Sequence, residues 1–328
     1  MFDISIYLPE KILTNENLKL ELPDWDYLKI QDKIGIRQRH IVGASETALD
    51  LAYLAAEKIV NKKNREYIDF IIFCTQSPDY FLPTTACILQ DKLGLPTNAG
   101  ALDFNLGCSG FIYGLALVKG LLTAGISENL LLITAETYTK HINRKDVANR
   151  AIFGDAAAAA LINKHDQSKI GEFTLGTDGR GKDNLIIQNG GTRNAYDLYA
   201  QEIEYGNGNY YTKNDLYMNG PEIFNFTIEN VPPLIKKNLD ANKLSISDID
   251  YFIFHQANQF MLEYLRRKIG IPTEKFCIDL AETGNTVSCT IPIALKNAYD
   301  RGVIKSRNKV MLVGFGVGYS WGAVTIEI

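Results

Sequence analysis

The chain repeats one phrase, and the repetition limits what it can fold into. "IDFIIFCTQSP" (Ile68–Pro78) and "IDYFIFHQANQ" (Ile249–Gln259) are each an apolar strand running into a polar loop. Each is followed by a helical pattern ending in a matching turn, "DKLGLPTNAGALDF" (Asp91–Phe104) against "RKIGIPTEKFCIDL" (Arg267–Leu280). The match continues through "GLALVKGLLTAG" and "IPIALKNAYDRG", then through the strands "NLLLITAET" and "NKVMLVGFG". Matched blocks in one order mark a duplication, and two copies are too few for a solenoid. Each copy alternates strand and helix, so the expected fold is α/β, with mixed sheets carrying helices on both faces. The halves are expected at residues 1–165 and 166–328, meeting in the polar stretch "INKHDQSK". Residues 176–220, rich in Gly, Asn and Tyr and without a clear period, read as loops inserted near a site the halves share.

Bulk properties exclude several classes of function. The 328 residues suffice for a large core, and 46% hydrophobic with 22% charged residues is a globular balance. A formal charge of -4 leaves no basic footprint for nucleic acid. No uncharged apolar run is long enough to span a bilayer, and "MFDISIYLPEK" lacks the pattern of a secretory signal. Five cysteines, an odd number with no C-x-x-C pair, fit a reducing compartment. The expectation is a cytoplasmic protein with neither a nucleic-acid nor a membrane partner.

One cysteine stands at a chemically marked place. In "ALDFNLGCSGFIYGLALVKGLLTAG" (residues 101–125), Ala101–Asn105 reads as a short buried strand and Phe111–Ala124 as a helix in the protein interior. Cys108 lies in the turn between them, at a helix start. There the unpaired N–H groups and the helix dipole should depress the thiol pKa and favour a nucleophilic thiolate. The plainer reading, a small buried hydrophobe, is the one expected for Cys74, Cys87, Cys277 and Cys289. The repeat aligns Cys108 with Gly284, beside Asn285, and Cys74 with His255. Packed about a pseudo-twofold axis, the halves would bring Cys108, His255 and Asn285 together at corresponding strand ends and helix starts. His255 ends an apolar strand where open α/β sheets place ligands, whereas His40, His141 and His165 read as surface residues. Asn285, in "ETGNTVSCTIP", also suits a helix cap. "GFGVGYSWG" (Gly314–Gly322) fails the dinucleotide fingerprint and reads instead as a source of oxyanion-binding N–H groups.

Cys, His in H-Q-A-N, Asn in G-N-T and a glycine-rich loop before a last W-G strand, in that order, resemble the thiolase-fold condensing enzymes. The likeness is to β-ketoacyl-acyl-carrier-protein synthase III. It extends along the chain through "IYLPEKILTNENL", "KIGIRQRHI", "TACILQDKLGLP", "GCSGFIYGL", "FGDAAAAALI" and "HQANQFMLEYLRRKIGIP". The resemblance implies a five-layered αβαβα sandwich, a homodimer and a ping-pong condensation. Cys108 would take an acyl group from a thioester. His255 and Asn285 would stabilise the enolate formed when a malonyl-acyl-carrier-protein thioester loses carbon dioxide. The N–H groups of Cys108 and Val317 would form the oxyanion hole; the family usually has Gly where Val317 stands. Leu82, in "YFLPTT", would reach the partner's acyl pocket, and Arg266, Arg267 and Lys268 would dock acyl carrier protein, although a further basic position appears as Phe260. No metal or redox cofactor is implied, with acyl-CoA or acyl carrier protein serving as substrate. The Trp and Arg that clamp CoA in the family align with Lys29 and Val147, while Trp25 and Arg150 stand out of register. A non-condensing transferase, with His255 as general base for a hydroxyl or amine acceptor, is the alternative on the same scaffold.

Overall fold

The computed structural model describes residues 3–23 and 25–328. A five-stranded sheet is built from β1 (Asp3–Tyr7), β2 (Phe70–Cys74), β3 (Gly100–Phe104), β4 (Asn129–Glu136) and β5 (Ala156–Asn163), in the order β1-β5-β4-β2-β3. A four-stranded sheet is built from β6 (Ile170–Thr177), β7 (Tyr251–Phe254), β8 (Lys309–Gly316) and β9 (Ser320–Glu327), in the order β7-β8-β9-β6. The strands of the repeated phrases, β2 with β4 and β7 with β8, pair in parallel, and the remaining strands of each sheet join antiparallel except β3.

Six helices complete the layers: α1 (Ala48–Ala56), α2 (Thr85–Lys92), α3 (Gly110–Thr123), α4 (Gly220–Ala241), α5 (Gln259–Ile269) and α6 (Thr290–Asp300). α1 and α2 cover the outer face of the first sheet, α4 covers that of the second with α5 against it, and α3 and α6 fill the space between the sheets. This is the expected αβαβα sandwich. The sequence explains the layers. α3 is apolar all round because both sheets press on it: Phe111, Ile112, Leu115, Val118 and Leu122 are all buried. Together they contribute about 10 kcal/mol of burial. α1 opens on a reciprocal cap between Thr47 and Asp50. It then lays Ala48, Ala52, Ala55 and Ala56 against Ala157 and Ala159 of β5, so small residues on both elements share one cluster and the helix sits close to the strand.

Two differences from the sequence-based expectation matter for the site. The segment expected as a buried strand is β3, an edge strand with Ala101 and Leu102 exposed, Leu102 to 41%. Its counterpart in the second half has shrunk to a single bridge between Phe252 and Phe276. The duplication is therefore intact at the sheet centres and unequal at one edge.

Candidate active site

Cys108 lies in the turn Leu106–Ser109 that leads from β3 into α3, one residue before the helix cap Ser109. The second half presses directly on this turn. A Cβ at Gly316 would stand 2.6 Å from Cys108 Cβ, and one at Gly314 would stand 2.8 Å from Ser109 Cα, so β8 needs glycine at both positions to make this approach. Ser109 Oγ and Ser320 Oγ, 2.6 Å apart, tie the same turn to β9. Cys108 is only 7% exposed. Burial, and secondly the Glu136 carboxylate, push its thiol up to about 12, with the residue's own N–H pulling the other way. The depressed pKa expected from a helix start is thus corrected: the enclosure that holds the turn outweighs the helix end, and the resting group is a thiol. Cys74, Cys277 and Cys289 are buried as expected, while Cys87 is exposed on α2.

His255 follows β7, its N–H donating to the Val313 carbonyl at 2.8 Å. Burial holds the imidazole neutral, its pKa down to about 3, against a smaller opposing hydrogen bond to the Val287 carbonyl. Nδ1 lies 2.7 Å from Thr290 Oγ1, and that hydroxyl lies 3.1 Å from the Val287 carbonyl. Nε2 faces Asn285 Nδ2 at 3.5 Å. Asn285 is held on both sides: its N–H donates to Ile152, and its carbonyl accepts from Gly154 at 3.0 Å. Its Oδ1 accepts the Val287 N–H at 2.9 Å, which turns its amide nitrogen toward His255. That bond is a local turn two residues along, not a cap on α6. Val287 has φ +56° while fully buried, a conformation β-branched residues avoid. One strained peptide therefore directs both Asn285 and the His255–Thr290 pair.

Two cavities meet beside Cys108. The first, about 140 Å³, is lined by Cys108, His255 and Asn285, and continues past Met218, Asn258 and Met261. The second, about 280 Å³, shares Leu185 and Val317 with the first and is otherwise lined by Gln76, Asn105, Tyr138 and His141, with Ile186, Ile187 and Leu216. Val317 sits between β8 and β9. Among the described residues no carbonyl accepts the N–H of Val317 or of Cys108. The inserted region does border the site, supplying Leu185, Leu216 and Met218. His141, read as a surface residue, is half-buried in the second cavity, where burial lowers its pKa.

Sequence reasoning also missed Thr290, which resembles any hydroxyl at a helix start, and set aside Glu136, which sits in no catalytic motif. Glu136 is fully buried and accepts from the Gln76 N–H at 3.0 Å and from Ser288 Oγ at 2.8 Å. Burial raises its pKa to about 8.

The remaining expected residues lie apart from the triad. Leu82 is 82% exposed on a loop with Phe81, 88% exposed, and lines neither cavity. On α5, Arg267 and Lys268 are exposed, whereas Arg266 turns back to Glu263 at 2.8 Å and to the Ile271 carbonyl. Phe260, 48% exposed, heads the same helix. Trp25 and Val147 line one small depression; Lys29 is exposed beside it, and Arg150 is paired with Glu21 at 2.6 Å.

The chain matches the family model for 3-oxoacyl-[acyl-carrier-protein (ACP)] synthase III over residues 102–179 and the model for that enzyme's C-terminal part over residues 239–328. A beta-ketoacyl-[acyl-carrier-protein] synthase III of Clostridium perfringens is 37% identical, covering 100% of this chain and 98% of the relative. A solved 3-oxoacyl-(acyl-carrier-protein) synthase III superposes with a TM-score of 0.96 at 46% identity, covering 100% of this chain and 99% of the other. The 3-oxoacyl-(acyl-carrier protein) synthase of Burkholderia xenovorans LB400 superposes at 0.90 with 33% identity, covering 100% and 93%.

Proposed function

The chain belongs to the 3-oxoacyl-[acyl-carrier-protein] synthase III family and is a decarboxylative condensing enzyme, and from that premise we propose which of its residues carry the reaction. An acyl thioester and a malonyl-acyl-carrier-protein thioester give a β-ketoacyl thioester, carbon dioxide and a free thiol. In the first half-reaction Cys108 Sγ bonds to the acyl carbon, the donor's C–S bond breaks, and the thiol proton leaves with the departing sulfur. The buried resting thiol makes this proton transfer part of the barrier.

In the second half-reaction the malonyl carboxylate departs as carbon dioxide. Its electron pair moves to the thioester oxygen, held between His255 Nε2–H and the Asn285 amide. Two nitrogens 3.5 Å apart and aimed into one cavity suit a single oxygen between them. The neutral imidazole donates without adding charge. The enolate carbon then attacks the Cys108 acyl carbon, and the N–H groups of Cys108 and Val317 receive the tetrahedral oxyanion. That attack forms the new C–C bond; collapse re-forms the carbonyl, breaks the bond to Cys108 Sγ, and the sulfur takes up a proton to restore the resting thiol. Each such donor is worth about 3 kcal/mol of barrier. The observation that carries this reading is the one cavity lined by Cys108, His255 and Asn285.

The chemistry moves electron pairs among carbon, sulfur and oxygen and calls for no resident cofactor. Arg267 and Lys268, with Arg266 bracing the helix, would meet the acidic surface of a carrier protein. A homodimer through exposed β3 and the Phe81–Leu82 loop would cover Phe81 and Leu82, two strongly exposed apolar side chains, together with Leu102. The proposed location is the cytoplasm; among the described residues no helix is long and apolar enough to cross a membrane. Transfer to a hydroxyl or amine acceptor has no observation in its favour.

The test is intact mass after incubation with a panel of acyl-CoAs and acyl carrier proteins, beside Cys108→Ala. An acyl adduct on the wild type that vanishes in the variant, and is consumed with malonyl-carrier protein, is the expected result. No adduct from any donor on a folded protein would remove Cys108 as the nucleophile.

A further inference from the structure

The second cavity differs from a plain hydrocarbon slot. It adjoins the nucleophile's turn: a Cβ on Gly107 would meet Gln76 Oε1 at 2.5 Å and Val317 Cγ1 at 3.1 Å. One wall is apolar, formed by Leu185, Ile187, Leu216 and Val317, but the other is a set of hydrogen-bonding groups. Tyr138 is 5% exposed, and its hydroxyl donates to Gln76 Oε1; Gln76 Nε2 donates in turn to Asn105 Oδ1 at 3.0 Å. The order of donors leaves Tyr138 Oη with a free lone pair and Asn105 with a free N–H pair. His141 adds an imidazole to the wall, with no side-chain hydrogen bond to its ring among the described residues. An alkyl chain placed here would strip water from these groups and return nothing, which is the costly way to bury polar atoms.

We infer that the acyl group carried by Cys108 is a hydroxyacyl group, whose oxygen meets the Tyr138–His141 wall. The inference rests on Cys108 as the acylated residue and adds the class of acyl group. A hydroxyl there donates to Tyr138 Oη or to an imidazole nitrogen and accepts from the other imidazole tautomer or from Asn105, so both roles of the hydroxyl are served. The apolar wall holds the carbons between that oxygen and the thioester.

The experiment is competition. Equimolar butyryl-CoA and 3-hydroxybutyryl-CoA, in both stereochemical forms, are offered to the full-length protein, and the two Cys108 adducts are resolved by mass. The expected result is faster acylation by one hydroxyacyl isomer, by about tenfold or more, because a site built to bond a hydroxyl rejects the analogue lacking it. In Tyr138→Phe, which keeps the ring among its neighbours, the ratio falls toward one; in His141→Phe it falls likewise. Equal or faster acylation by butyryl-CoA overturns the inference while leaving the nucleophile in place. A hydroxyacyl preference that survives both substitutions unchanged overturns the assignment of the wall. No adduct from either acyl group, offered both as CoA and as carrier-protein thioesters, strikes instead at Cys108 itself.

Discussion

Replacing Thr290 by valine removes one hydroxyl and little volume, and it should separate the two half-reactions. For His255 Nε2 to donate to an enolate, Nδ1 must be the bare nitrogen and must accept from something. The Thr290 hydroxyl, 2.7 Å away, can donate to it by turning its one proton from the Val287 carbonyl, which can only accept. Without the hydroxyl, the productive tautomer leaves a buried nitrogen unsatisfied, at a cost of about 1–3 kcal/mol. Each 1.4 kcal/mol is roughly a factor of ten in rate, so decarboxylation should fall about tenfold to a hundredfold. Acylation of Cys108 calls on other donors and should change by no more than a few-fold. Carbon dioxide release from malonyl-carrier protein by the pre-acylated enzyme reads the first quantity, and the rate of adduct appearance by mass reads the second. Thr290→Ser should restore decarboxylation. Equal losses in both half-reactions, or no loss in either, would refute the tautomer argument.

Three further outcomes are expected. With its thiol up at about 12, Cys108 gains thiolate tenfold per pH unit below that value, so acylation measured by mass should keep rising from pH 7 to 10; a plateau near pH 7 would contradict the buried-thiol reading. Gly316→Ala places a methyl 2.6 Å from Cys108 Cβ and should cost about 1–3 kcal/mol in urea unfolding while nearly abolishing the adduct. Leu82→Glu, at an exposed apolar position, should shift the protein from dimer toward monomer in light scattering at micromolar concentration; an unchanged mass would place the dimer contact elsewhere.

How far the sequence could be read follows from what repeats and what does not. The duplicated phrases carry the sheet centres, so the layering and the meeting of Cys108 with His255 and Asn285 were legible from alignment within the chain. Cys and His announce themselves by chemistry. Thr290 and Val287 do not: a hydroxyl near a helix start usually caps it, and a left-handed valine gives no glycine or asparagine signal. The thiol was misjudged because a helix start was weighed without the enclosure, and enclosure depends on Gly314 and Gly316 of the other half. His141 looked like surface because its neighbours in sequence are polar, although the inserted segment folds over it. β3 looked buried because its apolar residues match an internal strand; they lie instead on an open edge, where local composition carries no information about what covers it.

That a single cavity holds all three reacting residues has a kinetic consequence. One cavity is lined by Cys108, His255 and Asn285, so both thioesters must reach the same three residues. The acyl donor and the malonyl carrier are therefore rival occupants of a single berth, and each at high concentration keeps the other out. Excess malonyl carrier slows loading of the next acyl group, and excess donor slows the step that would unload the last. Turnover is fastest at a ratio of the two substrates and falls away on either side, so the shape of the chamber alone ties the rate of chain initiation to the balance between primer and extender.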